Sequence, residues 1–148
     1  MNDEKKHNED SLVVKNGIAY QQDNKSGLIK YTGEYQWELE DGIVICYYNE
    51  GICKIRKVFN KSKSLMSETI FHSNSEKQVT IYDSSGKIKL KHSMKNDKLD
   101  GLSEIYENGK LLIKAIYLNG IQNGESILFN QNGDIITRSY YVNGIKQI

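Results

Sequence analysis

Apolar and polar residues alternate along most of this chain in short runs, and turn residues cut the runs at near-regular intervals. The run "KLLIKAIYL" shows the pattern. Leu111, Ile113, Ala115 and Tyr117 fall at every second position, with Lys114 between them. A period of two predicts a strand with one face packed and one face wet. The cuts are Glu-Asp-Gly, Asp-Ser-Ser-Gly, Glu-Asn-Gly and Gln-Asn-Gly, all rich in residues that tolerate left-handed φ at low cost. Strand, turn, strand is therefore the predicted unit.

The unit repeats. Gly101 and Gly124, Gly109 and Gly133, and Gly120 and Gly144 are each separated by about 23 residues, the spacing of a short supersecondary repeat. Degenerate copies extend this backwards to five units, starting near Gly33, Lys54, Lys77, Gly101 and Gly124. The predicted first strands are "EYQWEL", "IRKVFN", "QVTIYD", "LSEIYE" and "ESILFN". The second strands are "IVICYY", "SLMSETIFH", "KIKLKHSMK", "KLLIKAIYL" and "DIITRSYY". Counted from the turn, offsets of two, four, six and eight are apolar or small. In the last unit they give Ile135, Thr137, Ser139 and Tyr141. The fifth offset is charged: Glu68, Lys91, Lys114 and Arg138. Two aromatic columns follow, Trp37, Phe59, Tyr82, Tyr106 and Phe129 on first strands and Tyr48, Phe71, Met94, Tyr117 and Tyr141 on second strands. A lone hairpin is marginal in water, so these columns are expected to form the core that ties the repeats together. The expected fold is all-β: about five tandem hairpins in one elongated, twisted antiparallel sheet. The domain is expected to span residues 12–148, behind a polar flexible tail over residues 1–11, with Leu12 to Tyr20 capping the sheet at its first edge.

Composition narrows the function more by exclusion than by assignment. Ten Tyr, twelve Gly and no Pro suit turn-rich β structure. A net charge of +1 provides no field for nucleic acid. No run of about eighteen apolar residues is present, so no transmembrane helix is expected. Cys46 and Cys53 have no zinc-pair spacing and read as buried thiols, with a disulfide open if the protein is exported. His7, His72 and His92 make no metal or catalytic pairing. No Gly-rich phosphate loop or nucleophile elbow appears. The expectation is a chain that is not an enzyme and binds no cofactor or metal.

The units "GLSEIYENG" and "GESILFNQNG" resemble variant MORN repeats. The opening stretch, with Asn16, Gly17, Tyr20, Tyr31, Thr32 and Gly33, is similar to the start of bacterial YwqK-type proteins. The resemblance covers about Val13 to Gly144 and implies successive β-hairpins. It also implies a role as an antitoxin or immunity component in a bacterial toxin system, with the toxin as protein partner. The alternative it implies is an envelope-associated scaffold or surface protein that binds lipid headgroups or cell-wall sugar. Compartment stays open: the sequence reads as cytoplasmic, or as exported or lipid-anchored if a signal was removed. The expected partner surface is the polar sheet face with its aromatics, Tyr35, Tyr47, Lys114, Arg138 and Tyr140, since Tyr and Arg are common interface anchors. The last hairpin exposes an edge, so an edge-to-edge homodimer is also expected.

Overall fold

The structure, a computed structural model, describes residues 12–148. The expected tail over residues 1–11 lies outside the described residues. Every regular element described is a strand. The first are β1 (Leu12–Lys15), β2 (Ile18–Asp23), β3 (Gly27–Lys30), β4 (Gly33–Leu39), β5 (Gly42–Asn49), β6 (Ile52–Asn60) and β7 (Leu65–Phe71). The rest are β8 (Glu76–Tyr82), β9 (Ile88–Lys95), β10 (Lys98–Glu107), β11 (Lys110–Leu118), β12 (Ile121–Phe129), β13 (Ile135–Val142) and β14 (Ile145–Lys146). All ten strands predicted from the repeat are present. The chain divides into two compact units, one ending at Phe71 and one running from His72 to Ile148. In each, neighbouring strands pair antiparallel in chain order.

Two turn types recur among the hairpins. In the first, Asn and Gly both take positive φ, as at Asn119 (53°) and Gly120 (85°). This geometry matches the right-handed twist of the flanking strands. In the second, the main chain closes over an Asx head. Gly133 N donates to Asn130 O (3.1 Å), and Asn130 N donates to Asp134 O (2.9 Å). The Asn130 side-chain oxygen also accepts from Asn132 N and Asp134 N. Asp83 heads an equivalent turn, where hydrogen bonds from the Ser85 side chain and the Lys87 backbone hold its carboxyl below the usual range. Asn60 heads the third, and there Lys63 occupies the left-handed position (φ 68°) that Gly86 and Gly133 fill elsewhere.

Each of these Asx-headed turns, and the Asn108-Gly109 turn, has a shift in register beside it. The shifts fall between Val58 and Phe59, Ile81 and Tyr82, Ile105 and Tyr106, and Leu128 and Phe129. On the partner strand Met66, Lys89, Leu112 and Ile136 go unpaired. These are β-bulges, and they break the alternation between the second and fourth offsets. Leu111 therefore sits opposite Tyr106, while the alternation resumes at Ile113, opposite Ile105. A single uninterrupted apolar face was expected, and the bulges correct it.

Burial is thin. No large side chain is fully buried among the described residues. In the second unit the buried residues are Thr80, Ser103, Ala115 and Ile127, all near strand centres. Small Ser103 and Ala115 are directly paired and sheltered by taller neighbours. The expected aromatic core is correspondingly weak there: Tyr82, Tyr106, Tyr117, Phe129 and Tyr141 are half-buried.

The densest packing is in the first unit. Residues Leu12 to Lys30 form their own three-stranded sheet, ordered β1-β2-β3. This sheet hangs on a turn of the neighbouring hairpin. Ala19 N donates to Gly51 O (2.8 Å), Gly51 N to Tyr31 O (2.7 Å) and Tyr31 N to Ala19 O (3.0 Å). Gly51 has φ of 82°, and a Cβ there would lie 2.5 Å from Ile18 Cγ2, so a side chain is excluded on two grounds. Ala19, Tyr31 and Tyr35 form the buried cluster, with Leu12, Trp37 and Tyr48 packed against it. Tyr31 meets Tyr35 and Tyr48 edge-on, at ring separations of 6.4 and 5.9 Å.

Candidate interaction surface

The strand registers assign faces. In the second unit Thr80, Lys91, Glu104, Lys114, Ile127 and Arg138 are directly opposite one another in successive pairs, forming one row across the strands. The charged fifth-offset positions thus line up as predicted. Signs alternate along part of the row: Lys91, Glu104, Lys114. Opposite charges on paired strands attract, though exposed pairs contribute only tenths of a kcal/mol, about 0.2–1. Tyr106 donates its hydroxyl to Glu104 Oε1 (3.0 Å). Burial, then this acceptor, pushes the Tyr106 phenol above its ordinary value. Arg138 forms a short ion pair with Glu125.

The expected surface residues do not all lie on one face. Tyr140 is 57% exposed, Arg138 shares its face, and Lys114 is half-buried in the charged row. In the first unit Tyr47 lies opposite Glu34 and Ile55, with Lys57 Nζ 5.6 Å from its ring centroid. Tyr35 does not belong with them. It pairs with Cys46 on the other face and is only 8% exposed, beneath the N-terminal sheet. Its assignment to a partner surface is corrected: it is a core residue. The signal that finds this is parity, since Tyr35 shares its strand face with Trp37 and not with Glu34 or Glu38.

The sequence reading missed an apolar strip on the same face as the charged row. Leu102 and Ile116 are directly paired and both exposed. Leu118 pairs with Ile121, and Val142 with Ile145, each flanking an Asn-Gly turn and each exposed. Successive hairpin tips touch: a Cβ on Gly144 would lie 3.2 Å from Ile121 Cγ2. Tyr140 joins the strip through Glu125, its paired neighbour. An open depression of about 440 Å³ runs beside Arg138 and Tyr140, where Gln147 N donates back to Tyr140 O. Monomeric proteins rarely expose contiguous apolar surface of this kind without a use for it. The strip was readable in "KLLIKAIYL", where Ile116 and Leu118 share parity with Lys114.

Among the described residues no group of three or more His, Cys, Asp or Glu side chains converges as metal ligands would. No described helix is long and apolar enough to cross a membrane.

Residues 99–119, the hairpin β10–β11 that carries Leu102, Glu104, Lys114 and Ile116, match the family described as MORN repeat variant. The chain is thus similar to MORN-repeat proteins through the hairpin at the centre of the surface. No curated protein matches the chain.

Proposed function

We propose that this chain is a non-enzymatic repeat protein that binds a protein partner on the charged-and-apolar face of its second unit. The observation that carries the reading is the exposed strip of Ile116, Leu118, Ile121, Tyr140 and Val142 beside Lys114 and Arg138. Apolar side chains supply affinity once covered, and flanking charges set orientation and encounter rate. The MORN-type repeat supports an interaction role. The resemblance to YwqK-type proteins sharpens the proposal: the partner is a toxin, and this chain is its antitoxin or immunity element.

The test is a pull-down from the source organism with tagged wild-type chain and with the Tyr140→Asp and Ile116→Lys variants. A protein held stoichiometrically by wild type is expected to lose at least about tenfold in affinity with either variant, as for an anchor worth ~1.4 kcal/mol or more. Undiminished binding by both variants excludes this face. Expression of the captured protein without the chain then tests the toxin reading, which a harmless partner would overturn.

A further inference from the structure

Cys46 and Cys53 lie on adjacent strands of one hairpin in the first unit. Cys46, on β5, is 3% exposed and sits opposite Arg56. Cys53, on β6, is half-buried and sits opposite Tyr48. The register shift between Tyr47 and Tyr48 leaves Lys54 unpaired, and the two thiols meet diagonally across the hairpin. Opposite Tyr48, Cys53 shares a strand face with Cys46, and its Sγ donates to Ile55 O (3.5 Å). Both are free. Two neighbouring thiols of unequal exposure on one strand face, with a guanidinium beside them, have the arrangement of an attacking and a resolving cysteine.

We propose that Cys46 and Cys53 form a reversible redox modification site, oxidised to an intramolecular disulfide by a hydroperoxide. Cys53, the more accessible, attacks the terminal peroxide oxygen. The O–O bond breaks, and the thiol proton leaves with the departing alkoxide as an alcohol. Cys53 becomes a sulfenic acid. The Cys46 sulfur then attacks the Cys53 sulfur, the S–O bond breaks, and hydroxide departs as water with the Cys46 proton. Two thiols have supplied two electrons to one peroxide.

The electrostatics agree with this order. The neighbouring Cys46 side chain draws the Cys53 thiol below its ordinary value against the opposing effect of burial, and Arg56 adds to the shift. The Cys53 side chain beside it and burial push Cys46 up. The disulfide would close a ring around Glu50 and Gly51. Gly51 is the residue on which the N-terminal sheet hangs, so oxidation tightens the attachment of β1–β3. This inference is independent of the partner surface.

The experiment treats the reduced full chain with hydrogen peroxide and follows free thiols and intact mass. The expected product is monomeric, lacks both thiols, is lighter by two hydrogens, and reverts with dithiothreitol. In Cys46→Ser, Cys53 is expected to stop at a sulfenic acid that dimedone traps. In Cys53→Ser, Cys46 is expected to react at least about tenfold more slowly than Cys53 does. Retention of both thiols, a disulfide-linked dimer as main product, or equal reactivity of the two single variants would overturn the proposal. If either variant is unfolded by circular dichroism, the wild-type mass and thiol count decide alone.

Discussion

Lys63 occupies a backbone position that its side chain does not favour. Its φ of 68° belongs to the left-handed region, where the equivalent turns use Gly86 and Gly133. A left-handed L-residue costs roughly 1–2 kcal/mol. Lys63→Gly is therefore expected to stabilise the protein by about 1 kcal/mol, offset in part by the freer unfolded chain. Denaturant unfolding checks it, and a lower midpoint would show that Lys63 contributes something the turn geometry does not reveal. His92 is the second residue whose surroundings decide its behaviour. It stands between Val79 and Ser103, shares a 2.8 Å hydrogen bond with Ser103 Oγ, and neighbours Lys91 in sequence. Burial lowers its pKa from the ordinary value of 6.5. The folded state thus binds the proton less readily than the unfolded state. Stability is fully present above about 6.5 and falls as pH drops from there toward the lowered folded value. His92→Gln is expected to flatten that acid-side decline in unfolding midpoints measured across pH. An unchanged slope would assign the decline to other groups.

At the scale of elements, hairpins are held by close main-chain approach more than by buried side chains. Gly42 shows this: a Cβ there would lie 2.0 Å from Phe59 O across the β5–β6 pair. Nothing at that distance can move except the strand backbone itself. Gly42→Ala is expected to destabilise by about 1–3 kcal/mol, the range of overpacking substitutions. Thermal unfolding reads it directly, and a melting point equal to wild type would mean the strands separate there at no cost. The bulges belong to the same scale. They recur before each of Phe59, Tyr82, Tyr106 and Phe129, so they are a feature of the repeat and not an accident of one turn. Alternation alone cannot announce them, because a bulge adds one residue without changing composition.

For the molecule as a whole, burial is unevenly distributed. The first unit has a second layer, β1–β3, covering Tyr35, Trp37 and Tyr48. Among the described residues the C-terminal strands have none: Ile135, Ile136, Thr137 and Arg138 are all exposed, and β14 contributes two residues. Local opening costs least where few apolar contacts break. Hydrogen exchange followed by mass spectrometry is expected to show β13–β14 exchanging fastest among the strands and β4–β6 slowest. Equal protection in both regions would contradict this gradient. The same unprotected C-terminal region carries Tyr140 and Val142, so partner binding is expected to slow its exchange.

The sequence by itself determined the strands, the turns and the charged row. A period of two and the left-handed tolerance of Asn and Gly are local properties, legible without knowing what touches what. Lys114, Arg138 and Tyr140 could be placed on one face for the same reason. The tertiary structure alone decided the rest. Tyr35 went to the core because a three-stranded sheet covers its face, and that sheet is held by main-chain hydrogen bonds at Gly51 that no side-chain pattern encodes. The two thiols met because a register shift placed Cys53 opposite Tyr48. Register and layer contact depend on residues distant in sequence, so a local pattern cannot fix them.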